Sequence, residues 1–470
     1  MLTDLSFIAK GQVFPPESES DRLKEYDINK KLFEGDHDKV FRDVVKKLKE
    51  RSAKRAETAV IILNYPKRLS TVWLNLLTGE QPKFKANEES NQNWLDSFIL
   101  MNNFQEVLQE VIIDISRFGV GLFRIRYDDW KGVIESLSPF CWFPVFSKKN
   151  NKKIINHVVA TIFNETVEGI WKNKTKSFVT FEIEELNSPF IIIKKFEYIT
   201  NTGSDPRLGE LIEESQIPKA TTKFLIYPAH NLKTSDAQFG FNDYKDVATI
   251  IREIMLRFCQ ISAILDKHSD PSIVAPYSML TKDPETGAAI VKKDDFILLD
   301  GEEKIRPEYL TWDGQLEHNF SQIEKLIDQL YVVSETSPSL FGDNKTGKVE
   351  SGSAMKKLLI SPLAKVARLR NSLDQAIKMS ILVASSLDSL SIIPQIEWMD
   401  GIPSDPLEDA QIEQIRLGGQ KNSSVISSIM RLNGCSRVEA EVEYERIKEE
   451  DNIVNPEIDV PPPTDSNSGR

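Results

Sequence analysis

Between Phe241 and Asp270 the chain carries one uninterrupted helical pattern, and that pattern limits what the rest of it can build. Val247, Ile250, Ile251, Ile254, Phe258, Ile261, Ile264 and Leu265 recur at i, i+3, i+4 and i+7 spacing and so fall on one side of a helix. Asp243 suits its first turn and Pro271 stops it. At about 1.5 Å per residue such a helix is roughly 45 Å long, and it needs apolar neighbours along its whole course. One neighbour follows in the chain. Pro271 to Trp312 holds short apolar runs, Ile273 to Pro276 and Phe296 to Leu299, around an Asp283-Pro-Glu-Thr-Gly287 turn. Helical spacing then returns from Asp313 to Ser334 through Leu316, Phe320, Ile323, Leu326, Ile327 and Leu330. Two helices joined by a small β insert can lie antiparallel as a stalk with the insert at its tip. Ile254, Phe258, Ile261, Leu326 and Leu330 are candidates for packing that stalk against neighbouring copies, and packing within one chain is the alternative.

The preceding 240 residues read as helices followed by strands, which makes the fold class α+β. Residues 39 to 80 form a helical pattern broken near Tyr65-Pro66, and a second amphipathic pattern runs from Asn91 to Phe118. The period then changes to two. Residues 121–127, 133–137, 158–163, 178–183 and 190–196 are β-branched and aromatic with turn residues between them, as expected of mainly antiparallel strands. Downstream, a long helix is predicted from Ser351 to about Leu390, with a kink at Pro362 because proline removes a hydrogen bond. A strand from Ile392 to Met399 follows, then short acidic helices, Pro406 to Leu417 and Ser436 to Glu450, flanking Ser423 to Leu432. The proline-rich end after Asn455 is disordered by composition.

The glycine-rich stretch Gly342-Asp-Asn-Lys-Thr-Gly-Lys-Val-Glu-Ser-Gly352 lies between two of these helical patterns. It spells GxxxxGK, yet Val349 stands where a phosphate-binding loop needs a hydroxyl for Mg²⁺, and a helix precedes it where that motif needs a strand. An NTPase is therefore disfavoured. A nuclease needs converging carboxylates, whereas Asp128-Asp129, Asp294-Asp295 and Glu449-Glu450-Asp451 are adjacent pairs of the kind found in solvated turns and helix ends. The three cysteines form no CxxC pair and the five histidines are scattered, so neither a metal nor another cofactor is expected. No apolar run reaches eighteen residues, which argues against a membrane partner.

The net charge of -12 disfavours a tight reader of DNA sequence, but its distribution is uneven. Asp405 to Asp459 holds 13 acidic and 6 basic residues, whereas Lys39 to Arg55 and the helix after Ser351 are basic. Each run, taken alone, reads as a solvated helix face. In the loop, Lys345 and Lys348 are offset by Asp343 and Glu350, and Gly342, Gly347 and Gly352 allow it to move.

The order of parts resembles the tailed-bacteriophage portal family, most closely that of long-tailed phages of Gram-positive hosts. The resemblance spans nearly the whole chain. Local wording carries it: Leu63-Asn-Tyr-Pro-Lys67 followed by Trp73 to Pro82, Ser116-Arg-Phe-Gly-Val-Gly-Leu122, Gly240-Phe-Asn-Asp-Tyr244, Ser337-Pro-Ser-Leu-Phe-Gly342 and Glu350-Ser-Gly-Ser-Ala354. It implies a non-enzymatic ring of about twelve copies at one capsid vertex, assembled in the host cytoplasm, with a channel through which double-stranded DNA is packaged and ejected. It also implies a wing (1–240), stem helices (241–270 and 313–334), a clip (271–312), a tunnel loop (335–351), a kinked channel helix with a return strand (352–404), a crown (405–455) and a tail (456–470). Asp343, Asn344, Lys345, Thr346, Lys348, Glu350, Lys356 and Lys357 are then the residues expected to meet the DNA backbone without reading bases, with Gly342, Gly347 and Gly352 as hinges. The implied partners are further copies of the chain, the terminase large subunit with its motor, a head-tail adaptor, and the major capsid and scaffolding proteins. A different head-tail connector ring is the remaining structural alternative, and the paired long helices around a β insert favour the portal.

Overall fold

A computed structural model of the chain describes residues 1–51, 60–128, 131–167, 174–200, 205–269, 273–274, 281–282, 289–290, 308–309, 316–342, 357–399, 406–418 and 423–454. Helices open the chain: α1 (Ser20–Glu34), α2 (His37–Val40), α3 (Arg42–Arg51) and α4 (Tyr65–Thr78). The break expected near Tyr65-Pro66 is instead a beginning. Asn64 caps α4 by accepting from the Lys67 amide at 3.0 Å, and Pro66 sits in the first turn, where its missing N–H costs nothing. After β1 (Lys83–Lys85) come α5 (Gln92–Met101) and α6 (Phe104–Phe118). The single helix expected from Asn91 to Phe118 is thus two, because Asn103 adopts the left-handed conformation at φ 45° and turns the chain between them.

Eight strands of two sheets follow: β2 (Val120–Asp128), β3 (Lys131–Leu137), β4 (Val145–Ser147), β5 (Asn150–Val167), β6 (Lys174–Glu185), β7 (Phe190–Ile199), β8 (Arg207–Pro218) and β9 (Ile226–His230), with β1 apart from them. β4 to β8 form a five-stranded antiparallel meander in chain order, and β2 is the centre of a three-stranded sheet, antiparallel to β3 and β9. Of these, β1, β4, β8 and β9 escape the sequence pattern. β8 shows why: most of its side chains are exposed, so pairing with β7 rather than an apolar alternation makes it a strand.

α7 (Ala248–Ser269) starts seven residues later than its apolar pattern. The insert contributes β10 (Ile273–Val274), β11 (Thr281–Lys282), β12 (Ala289–Ile290) and β13 (Glu308–Tyr309), with β10 antiparallel to β13 and β11 to β12. The Asp283 to Gly287 turn and the Phe296 to Leu299 run lie outside the described residues. α8 (Leu316–Val333) returns against α7, and α9 (Ile360–Leu387) follows the glycine-rich stretch. The interruption expected at Pro362 falls three residues ahead of it. The turn falls at Leu359, ahead of the helix, and Pro362 lies in the first turn. β14 (Gln395–Glu397) then pairs antiparallel with β1.

The described chain divides into two compact units, Met1–Lys345 with Ser361–Gly401, and Thr346–Ile360 with Ile402–Arg470. In the second, α10 (Pro406–Leu417), α11 (Val425–Asn433) and α12 (Arg437–Val454) follow one another; α10 and α12 match the two acidic helices read from the sequence, and α11 forms in the Ser423 to Leu432 segment between them. Glu413 joins α10 to α11: its carboxylate accepts from Arg416, Ser428 and Arg431, and Arg431 above all pulls its pKa down to about 2.

The main core of the first unit is built from α4, α5, α6, the β2–β3 hairpin and α9, through Trp73, Leu77, Leu108, Val111, Phe123, Leu369, Leu373 and Ile377. A second cluster joins α1 and α4 to α7 and α8 through Leu32, Leu69, Tyr244, Ile251, Ile254, Cys259 and Leu330. A third fills the meander around Phe14, Phe143, Phe181 and Phe196.

Two histidines are locked in as neutral rings. His157 in β5 accepts from the Trp142 indole N–H at 2.9 Å, and His230 in β9 lies against α9, its amide donating to Ser372 at 2.7 Å. Burial, helped by Lys219 and Lys233 respectively, lowers each pKa from 6.5 to about 3. Because the folded pKa lies below the unfolded one, the stability these rings provide is present above pH 6.5 and lost as the pH falls toward 3. Asp114 acts in the opposite sense. Burial outweighs its bond to Arg117 and raises its pKa from 3.8 to about 6, so protonation between those values favours the folded state. From pH 7 to 5 the histidines together cost about 4 kcal/mol and Asp114 returns about 1 kcal/mol, for a net loss of about 3 kcal/mol. Denaturant titrations at the two pH values should show that loss. A His157→Gln/His230→Asn chain should show no loss, and an equal slope in both proteins would remove the histidines from the account.

Candidate functional site at the root of the glycine-rich loop

The seven residues missing from the start of α7 make a buried polar centre. The Asn242 side chain accepts from the amides of Tyr244 (3.1 Å) and Lys245 (2.9 Å), which captures the chain in a turn. Asp243 is thereby kept out of the helix and its carboxylate enters the core. One oxygen accepts from Lys365 Nζ at 2.8 Å and from the Asn231 amide at 2.7 Å, and the other accepts from Ser116 Oγ at 2.7 Å. The Asp243 amide donates to the Ser116 carbonyl at 2.8 Å.

The carboxylate sets the direction of the remaining bonds. Ser116 gives it its proton, so Ser70 donates to Ser116 (2.8 Å) and the Tyr244 hydroxyl donates to Ser70 (2.7 Å). Burial pushes the Tyr244 pKa up and keeps that hydroxyl a donor. Lys365, on α9, also lies over the Trp73 ring at 4.1 Å from its centroid. The two charged side chains are only 8% and 6% exposed, so each depends on the other for its solvation. Together these contacts join α4, α6, the segment leading into α7, and α9.

Beside this centre two backbones touch. Gly119 closes α6 at φ 81°, and a Cβ there would sit 2.0 Å from the Gly240 carbonyl oxygen. A Cβ on Gly240 would in turn sit 2.2 Å from the Gly119 carbonyl oxygen. Gly121 presses on α6 in the same way, 2.4 Å from the Val111 carbonyl on that measure. The segments Ser116 to Leu122 and Gly240 to Tyr244, which the sequence offers as separate wording, are one contact in space.

The entry to the glycine-rich stretch is tied to the same helices. Ser334 caps the end of α8, its hydroxyl donating to the Leu330 carbonyl at 2.6 Å, and Glu335 turns the chain in the left-handed conformation at φ 58°. Glu335 then forms an ion pair with Arg368 of α9. Arg68 of α4 donates to the Leu340 carbonyl at 3.2 Å, and the Phe341 ring packs against Tyr331 at 5.0 Å. Gly342 leaves this anchored segment at φ 83° with nothing within 4 Å of where its Cβ would be, a conformation that suits glycine.

Of the residues singled out in the sequence, Gly342 is thus described, and Lys357 is exposed. Asp343, Asn344, Lys345, Thr346, Gly347, Lys348, Glu350, Gly352 and Lys356 lie outside the described residues. The other cations of the long helix are largely committed within the chain: Lys365 to Asp243, Arg368 to Glu335 and Lys378 to Asp374. The structure buries Ile254 (1% exposed), Ile261 (5%) and Leu330 (0%) in the chain's own packing, with Phe258 and Leu326 half-buried beside them. Among the described residues, Leu265, Phe320, Val332 and Val333 are the large apolar side chains that α7 and α8 leave exposed. Sequence reasoning missed Lys365 and the true place of Asp243. The available signal was a lone lysine four residues before Leu369, on the stripe that continues through Leu373 and Ile377.

Among the described residues, no group of histidine, cysteine and carboxylate side chains could hold a metal ion, and no helix is long and apolar enough to cross a membrane. A family model described as phage portal protein, SPP1 Gp6-like, matches residues 16–457. The chain belongs to that family of phage portal proteins, which are structural and non-enzymatic. A search of curated proteins finds no match. Among solved structures, a chain from the neck of an empty GTA particle is similar at 11% identity and a TM-score of 0.47, covering 78% of this chain and 89% of that one. Another, from the virion of a native gene transfer agent particle, has 10% identity and a TM-score of 0.47, covering 90% and 96%.

Proposed function

We propose that the chain forms a ring of about twelve copies at one vertex of a phage capsid, around a channel through which double-stranded DNA enters during packaging and leaves on ejection. The family match over residues 16–457 carries this reading. In it, residues 1–240 with 352–404 form the wing and the helix facing the channel, α7 and α8 the stem, 271–312 the clip, 405–455 the crown, and 335–351 a loop reaching into the channel. Asp343 to Glu350, with Lys356 and Lys357, touch phosphates transiently, and cations offset by neighbouring acids keep that contact weak. The terminase large subunit with its motor and a head-tail adaptor dock on the ring, and capsid and scaffolding proteins surround the wing. Ring closure is heterologous, one flank of each copy meeting the opposite flank of the next. The apolar side chains left exposed on α7 and α8 suit such a contact.

Native mass measurement with imaging of the purified chain tests the first step. Closed rings of about a dozen copies with a central hole are expected, and a monomer or dimer at high concentration would count against the reading. Lys345→Ala/Lys348→Ala rings are expected to assemble normally and to package or retain DNA abnormally. Unchanged packaging would take the loop out of the channel.

A further inference from the structure

The apolar packing of α9 leaves its position along its own axis weakly specified. Its buried residues Leu369, Leu373, Ile377 and Ile381 recur every four positions, and hydrophobic contact is non-directional. Displacing the helix by four residues, about 6 Å along its axis, brings Leu373 to the place of Leu369, Ile377 to that of Leu373, and Ile381 to that of Ile377. One-turn shifts of this kind are a known mode of conformational change. The substitution fails at Val366, where Arg370 or Pro362 would arrive, and at Lys365, the position whose partner is a buried charge. A shift of four residues in either direction sets Ser361 or Leu369 against Asp243 and leaves the buried carboxylate without its cation.

We propose that the Lys365–Asp243 pair is a register pin, which fixes the axial position of α9, and with it the Arg368–Glu335 contact at the entry to the glycine-rich loop, against the root of α7. Asp243 is itself immobilised, accepting from Ser116 and Asn231 and donating its amide to the Ser116 carbonyl. Arg368, three residues beyond Lys365 on α9, holds Glu335 at the loop's entry, and the loop's exit runs into α9. The loop's entry therefore depends on a helix whose register a buried ion pair holds, with the His230 amide on Ser372 and the Trp94 indole on Asp388 as further directional contacts along it. Apolar residues of similar volume often stabilise a core as well as a buried ion pair does, and the pair's distinguishing contribution is a unique arrangement. The consequence for transport rests on the portal reading: force on the loop reaches the root of α7 through the pin and is not dissipated in sliding of α9.

The test is the Asp243→Asn/Lys365→Met double variant, which removes both charges at similar volume and leaves no lone buried ion. Expected are rings of wild-type mass that package at least tenfold less DNA per head. Wild-type packaging by such rings would overturn the pin. Hydrogen exchange on the purified full chain provides a measurement that needs neither ring nor DNA. Amides of residues 360–370 and 248–255 should both exchange at least tenfold faster in the double variant, and a rise confined to α9, or none, would overturn the proposal even where the variant fails to form rings. A wild-type chain that neither closes into rings nor supports packaging would instead refute the portal reading, with the exchange experiment still deciding the pin.

Discussion

Gly119→Ala is expected to lower the stability of the purified chain by about 4 kcal/mol, from the sum of two costs. Holding an L-residue in the left-handed region costs roughly 1–2 kcal/mol, and forcing a methyl into a filled site costs roughly 1–3 kcal/mol. The second cost is at its upper end here, because the added Cβ would meet the Gly240 backbone carbonyl at 2.0 Å and no side chain can rotate aside. Gly240→Ala meets the reciprocal contact at 2.2 Å, and a loss of about 3 kcal/mol is expected from overpacking. Gly342→Ala is the internal comparison. Gly342 has nearly the same backbone angle, φ 83° against 81°, but open space around it, so only the conformational cost of about 1 kcal/mol applies. Equilibrium unfolding in denaturant measures all three. A Gly119→Ala chain no less stable than Gly342→Ala would mean that the α6 end and the Gly240 segment are free to move apart.

The second large effect is expected at Asp243. Asp243→Ala leaves the Lys365 ammonium buried with only the Trp73 face beside it, and strips Ser116 and Asn231 of their acceptor. Breaking a buried pair from one side typically costs about 3–5 kcal/mol, and the extra stranded donors place this site at the upper end. The coupling is measurable. In a Lys365→Met background the same Asp243→Ala change should cost at least about 2 kcal/mol less, because the unpaired cation is no longer there. Equal costs in the two backgrounds would mean that the ion pair contributes nothing beyond its separate hydrogen bonds.

The elements legible in the sequence are those whose side chains declare a period. α7, α8, α10 and α12 were legible because their apolar residues repeat at helical spacing, and β2, β3, β5, β6 and β7 because β-branched and aromatic residues cluster between turns. The misses have local causes. Residues 241–247 continue the apolar pattern of α7, yet Asn242 captures two amides and ends the helix at Ala248. Pro362 reads as an interruption, whereas its position in the first turn of α9 makes it a beginning. β8 owes its existence to β7 and carries almost no buried face of its own. The site divides in the same way. Glycine-rich and short polar motifs mark Ser116 to Leu122, Gly240 to Tyr244 and Ser337 to Gly342 as separate features, but that the first two share a contact, and that Lys365 and Arg368 reach across to Asp243 and Glu335, depends on pairings more than 30 residues apart in the chain.

The placement of α9 also governs when this protein can fold during its synthesis. α4, α5, α6 and the β2–β3 hairpin emerge early, yet the face they present to Leu369, Leu373 and Ile377 stays uncovered until the chain has grown past residue 387, and β1 waits as long for β14. A ribosome adding about 5–20 residues per second therefore leaves an apolar surface open for roughly 8–30 seconds after its first half is complete. The nascent first unit is in that interval a binding surface for chaperones and for other nascent copies, and the helix that seals it is the one that carries the end of the glycine-rich loop.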